Sequence, residues 1–111
     1  MKLENEFQPI RDWATARNLY EQGDCNTQFV KLSEEVGEIA RNLLKSDLGE
    51  VRDGIGDAVV VLTNFAELVS IKFGVKFTIE DCINDAYNVI KDRKGRMVNG
   101  TFDRNAEPLE I

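Results

Sequence analysis

"DLGEVRDGIGDAVVVLTNFAELVSIKFG", residues 47–74, decides the fold, because its centre and its whole length point to different elements. The run AVVVL at 58–62 has the valine-rich look of a buried strand. Val51, Ile55, Val59, Leu62, Ala66, Val69 and Phe73 nevertheless recur at steps of three and four across the segment, which is much longer than a strand. The helical period governs. A helix is expected over 47–73, with Gly74 as its C-terminal stop. Val61 and Leu68 fall on a different side from the main stripe, so this helix should be covered on two faces and be the central one.

Three further helices are expected around it. Residues 9–20 place Pro9 at a first helical position and Ile10, Trp13, Ala14 and Tyr20 on one side. After the break "EQGDCNT", Asn26 or Thr27 can cap a second helix, whose stripe of Phe29, Leu32, Val36, Ile39, Ala40 and Leu43 runs to about Lys45. The fourth opens on "FTIEDCI", with Thr78 as N-cap, Asp81 as the capping-box acid and Phe77 stapled against Cys82. Its stripe of Ile79, Ile83, Ala86 and Ile90 continues until Gly95. "RMVNGTFDRNAEPLEI" carries Asn-Gly turn chemistry and reads as a short hairpin or loop followed by a loose tail. The expected architecture is all-α: one domain over 1–111, a four-helix, bundle-like subunit. The strip carrying Val61 and Leu68 should assemble it into a homodimer or a dimer of dimers.

A chain of 111 residues with 42% hydrophobic and 31% charged residues has the composition of a folded domain and no room for a second core. Its net charge of -6 excludes a general nucleic-acid binder, which needs a basic surface. The start "MKLENEF" has no apolar leader, and the apolar run at 58–62 is too short for a bilayer, so no membrane partner is expected. Cys25 and Cys82 stand alone without C-x-x-C spacing, which suits a reduced, cytoplasmic chain, and Cys82 is expected to pack on an apolar helix face.

The carboxylates carry the chemistry. In "KLSEEVGEIARNLL", residues 31–44, a rotation of about 100° per residue puts Glu35 at the edge of the apolar stripe, Glu38 one step further round and Glu34 nearly opposite. On the central helix Glu50, Gly54, Asp57 and Val61 share a strip, with Asp53 beside it. A single E-x-x-E is usually a solvated face. Two such clusters flanking packed seams repel unless a cation sits among them, and acids without any histidine in the chain suit Mg2+, with Mn2+ as a substitute. A magnesium held by carboxylates binds phosphate chains readily, and "KDRKGR" (Lys91, Arg93, Lys94 and Arg96) offers a basic clamp in an acidic chain. Cations also favour helix C-termini on their own account.

These motifs, in this order, resemble the MazG-like nucleotide pyrophosphohydrolases of the all-α NTP pyrophosphatase superfamily, especially compact phage and bacterial members. "KLSEEVGEIA" is similar to the family's E-E-x-x-E helix, "DGIGDAVVVLTNFAE" to its second acidic helix, and "AYNVIKDRKGRMVNGTF" to the basic ending of phage-type members. The resemblance implies Mg2+-dependent hydrolysis of a nucleoside triphosphate to the monophosphate and pyrophosphate. By motif position it implies Glu35, Glu38 and Asp57 as metal ligands, and Lys31, Lys91, Arg93 and Lys94 as candidates for the phosphates. Gly54 stands where the usual E-x-x-D motif has its glutamate, leaving Asp53 and Glu50 as candidate replacements. Glu34 or Glu38 would orient the attacking water. Trp13 is read as a core residue. The competing reading is a non-catalytic helical module that binds nucleotide or a partner protein around a structural cation.

Overall fold

The computed structural model describes residues 5–108. It is predominantly helical, with α1 (Phe7–Ala16), α2 (Leu19–Gln22), α3 (Cys25–Leu44), α4 (Leu48–Phe73) and α5 (Ile79–Ile90). They are followed by an antiparallel hairpin of β1 (Arg96–Val98) and β2 (Thr101–Asp103). The long helical period of 47–73 prevails over the valine run, with Asp47 capping the start and Gly74 closing the end in the left-handed region. Thr78 and Asp81 form the expected capping box of α5. At the hairpin tip Asn99 and Gly100 both take positive φ, the requirement that selects Asn-Gly for a two-residue turn. Residues 109–111 of the expected tail lie outside the described residues.

Five helices replace the expected four. The first expected helix divides at Asn18, whose φ of 59° ends α1, and asparagine is among the few residues that adopt that conformation cheaply. The division turns Tyr20 toward α4, where its hydroxyl donates to Asn64 Oδ1 at 2.6 Å. Pro9 is the third residue of α1 rather than its first. The cap of α3 is Asp24, which accepts from the Thr27 N–H at 2.8 Å, so Thr27 receives the cap instead of providing it. α5 stops at Ile90, short of Gly95.

α4 is the packing centre, with α1, α2, α3 and α5 all laid against it. It has the length and apolar composition of a membrane-crossing helix, which the short run at 58–62 did not reveal. Burial on α4 departs from the expectation, although Ala66 of the main stripe is buried. Val61 and Leu68, each 4% exposed, are buried within the subunit, whereas Ile55, Val59 and Phe73 of the main stripe face outward. Gly54, Val61 and Leu68 recur at seven-residue steps, and the groove at Gly54 lets α3 settle along that strip. The face left open joins Ile55, Val59 and Phe73 to Phe29, Val36 and Leu43 of α3. Cys82, expected to pack on an apolar face, is exposed, while Cys25 is buried, and both are free thiols.

Candidate active site

α3 and α4 are joined by three residues, Lys45, Ser46 and Asp47, so they run antiparallel and their seam brings the acidic motifs together. At the closest approach, an ideal Cβ on the buried Gly54 would stand 2.8 Å from Ile39 Cγ1. The position where the resemblance anticipates a glutamate therefore has no space for a side chain. One turn further along the strip a cleft of about 230 Å³ opens, lined by Lys31 and Glu35 from α3 and by Asp57, Val60 and Val61 from α4.

Glu35 is the distinctive group of this cleft. Its Oε2 is buried without a hydrogen-bond partner. Desolvation, then the charges of Glu38, Asp57 and Glu34, raise its pKa against the opposing pull of Lys31. The site thus holds an acceptor with no protein donor among the described residues. Of the sequence-predicted residues, the structure brings together Lys31, Glu35 and Asp57. Glu34, Glu38, Glu50 and Asp53 are exposed and do not line the cleft, although Glu34 and Glu38 act on Glu35 through their charge.

Among the described residues, no group of three or more acidic or cysteine side chains stands close enough to hold a metal ion unaided. Two carboxylates, one of them with an unpartnered oxygen, still fit Mg2+, which usually takes one or two carboxylates and completes its shell with water and substrate phosphates. Manganese suits the same oxygen donors.

Apart from Lys31, the basic candidates lie elsewhere. Arg93, Lys94 and Arg96 line a separate cavity of about 510 Å³ with Gly95, Met97, Phe102 and Pro108, and it shares no lining residue with the acidic cleft. Because α5 ends at Ile90, only Lys91 sits at the helix terminus, and the backbone dipole does not account for Arg93, Lys94 and Arg96.

Sequence reasoning missed the surroundings of Trp13. This residue is 49% exposed rather than core. Ala14 takes the buried position on α1, and its neighbour, about 100° round the helix, is turned away. Trp13 lines a cavity of about 340 Å³ with Pro9, Ile10 and Val60. Val60 belongs to the acidic cleft as well. The signal available in the sequence was the pairing of Trp13 with Arg17 at i, i+4, which places the guanidinium 4.3 Å from the indole centroid.

With this geometry in view, comparison with known proteins is informative. The profile of the MazG nucleotide pyrophosphohydrolase domain matches residues 25–98, the segment holding α3, α4, α5 and β1. The chain belongs to the MazG family. The family is described as one of nucleotide pyrophosphohydrolases and is generally divalent-metal dependent, and the α3–α4 seam is part of the shared domain. It is also similar to an uncharacterized 18.2 kDa protein from the rep-hol intergenic region of Haemophilus phage HP1, with 37% identity over 65 residues. That match covers 59% of this chain and 40% of the phage protein. No solved structure matches the chain.

Proposed function

We propose that this MazG protein hydrolyses nucleoside or deoxynucleoside triphosphates to the monophosphate and pyrophosphate with Mg2+, in the cleft between α3 and α4. The observation that carries the reading is the buried, unpartnered Oε2 of Glu35 in a cleft that Asp57 and Lys31 also line, within the family-matched segment. Glu35 and Asp57 would hold the ion, with Glu38 close enough in charge to contribute. Magnesium bound there supplies neutralisation of the triphosphate charge. Lys31 contacts a phosphate oxygen. Glu38, with Glu34 as the other candidate, orients the attacking water and takes its proton, the water oxygen bonds to phosphorus, and the bond to pyrophosphate breaks. Glu50 and Asp53 are the candidate replacements for the ligand that Gly54 lacks, and both would act from the exposed rim.

The working form is proposed to be a homodimer or a dimer of dimers in the cytoplasm. The chain exposes 8502 Å², whereas a compact monomer of its mass would expose about 6,200 Å². Its radius of gyration of 17.1 Å compares with about 13 Å for a compact domain of this length. The excess of roughly 2,300 Å² is of the order buried by an obligate interface. The open face of Phe29, Val36, Leu43, Ile55 and Val59 is the surface a second copy would cover. In that assembly Lys91, Arg93 and Lys94 are assigned to substrate phosphates of a neighbouring subunit, since within one chain the cavity that Arg93 and Lys94 line is separate from the cleft.

Pyrophosphate release measured over a panel of nucleotides, with Mg2+ and then with chelator, tests the reading. Metal-dependent release from at least one triphosphate is expected. Nucleotide binding without release from any of them would replace the enzyme by the non-catalytic module, the alternative that the missing carboxylate at Gly54 favours.

A further inference from the structure

Resting on the functional reading above, we infer that the cavity of Pro9, Ile10, Trp13 and Val60 receives the nucleobase of the substrate whose phosphates enter the acidic cleft, and holds it by stacking. Val60 is the wall between the two spaces, lining the apolar cavity on one side and the cleft of Glu35 and Asp57 on the other. A molecule with a flat apolar end and an anionic end would occupy both. The cavity volume of about 340 Å³ lies in the range of small-molecule sites.

The other features agree. Trp13 keeps 49% of its surface exposed, and Arg17 at 4.3 Å from the ring centroid braces the indole. The wall that carries Trp13 is fixed, because Arg11 on α1 makes a two-pronged pair with Glu80 of α5, both contacts at 2.6 Å, and Ala14 is fully buried. Pro9, Ile10 and Trp13 precede the matched segment 25–98, so family membership says nothing about them.

The lining also says how the base is read. Of the four side chains that line the cavity among the described residues, only the indole N–H can form a hydrogen bond, so within that lining the base edge meets no matched set of side-chain donors and acceptors. Every base offers a π face, and a pocket that stacks without reading edges discriminates weakly. The specificity constants for the four common bases should therefore fall within about tenfold of one another, whereas edge-reading sites separate analogues by orders of magnitude.

Trp13 is the only tryptophan in the chain, which gives a readout independent of turnover. The experiment titrates the intact protein with nucleoside triphosphates and with inorganic tripolyphosphate, following tryptophan emission and, in parallel, heat of binding. Nucleotides should change the emission, and tripolyphosphate should bind in competition with them while leaving it unchanged. Trp13→Ala should weaken nucleotide binding at least about fivefold with tripolyphosphate affinity unaltered, and Trp13→Phe should restore most of the loss. Nucleotide binding that displaces tripolyphosphate without any change in emission would overturn the inference while sparing the functional reading. Equal weakening of both ligands in Trp13→Ala, with Trp13→Phe no better, would overturn it as well. Absence of binding by both ligands would overturn the functional reading and the inference together.

Discussion

Replacing Gly54 by alanine sets two effects of opposite sign against each other at the α3–α4 crossing. Alanine in a helix interior is favoured over glycine by about 1 kcal/mol through backbone entropy. The new Cβ would stand 2.8 Å from Ile39 Cγ1, against an ordinary carbon contact of roughly 3.5–4.0 Å. The atom in the way is next to the branch point of a β-branched side chain, which has little freedom to swing aside, so α3 and α4 must part. Overpacking of this kind costs about 1–3 kcal/mol. The two effects leave a net destabilisation of about 1 kcal/mol, which lowers the melting temperature by about 4–8 °C for a domain of this size. Gly37→Ala is the matched control, because its Cβ would meet nothing within 4 Å and should stabilise by up to about 1 kcal/mol. Adding Ile39→Ala to Gly54→Ala removes the obstacle, so the double variant should be more stable than the sum of the singles. Chemical denaturation at one fixed protein concentration measures the parent, the three single variants and the double variant. A Gly54→Ala protein as stable as Gly37→Ala would refute the close approach, and with it the explanation for the missing glutamate.

At the site, Glu38→Gln and Asp57→Asn should each reduce Mg2+-dependent pyrophosphate release at least about a hundredfold, while denaturation midpoints stay level or rise by a few tenths of a kcal/mol as like charges separate. The Arg11–Glu80 pair holds the Glu80 carboxyl below the ordinary glutamate range, chiefly through its hydrogen bonds from Arg11. Its stabilisation is therefore present above the unfolded-state pKa and lost as pH falls through the depressed folded value, and Glu80→Gln should cost about 2 kcal/mol near neutrality and flatten that acid limb in denaturation curves recorded against pH. Burial raises the nearby Glu67, so Glu67→Gln should shift stability in the opposite direction, upward at neutral pH. For assembly, Val36→Asp should lower the oligomer mass in sedimentation with helicity retained, whereas Leu68→Glu, buried inside the subunit, should lose helicity. Mixing Glu38→Gln subunits with Arg93→Ala, Lys94→Ala subunits should recover activity that neither possesses alone, if the basic cavity serves a neighbouring subunit's cleft.

Much of the fold was legible because its signals are local. The period of 47–73, the Thr78 and Asp81 capping box and the Asn-Gly turn each act within a few residues of chain, and all three stand as expected. What failed depended on packing between segments. The expected break "EQGDCNT" narrows to Gly23 and Asp24, since Glu21 and Gln22 end α2 and Cys25 starts α3, while the unforeseen division at Asn18 brings Tyr20 against Asn64, forty-four residues away. On α4 the apolar residues were counted correctly, but the strip with Val61 and Leu68 that was expected at an interface lies inside the subunit, and of the main stripe Ala66 is buried while Ile55, Val59 and Phe73 are exposed. Seven apolar side chains outvoted the strip of Gly54, Val61 and Leu68, although a glycine on a helix face gives a neighbouring helix its closest approach.

The candidate site divides along the same line. Glu35 and Asp57 were legible because acids at the edge of a seam face one another once the two helices pack antiparallel, whereas Lys31 was named only from the family resemblance and lies one turn before Glu35 in the same cleft. Glu50 and Asp53 were placed by adjacency to Gly54 on a helical wheel, which carries no information about which part of the seam is open. Ile39 fills the space beside Gly54, and the cleft opens only further along, at Asp57 and Val61. The same packing that removes one carboxylate leaves Glu35 with a buried oxygen and no partner. In the folded subunit that oxygen carries a desolvation cost which protein contacts do not offset, and a bound cation would offset it directly. A seam that is tight at Gly54 and open at Glu35 thus combines rigidity with an unmet demand for positive charge, the two properties a phosphate-handling metal site requires.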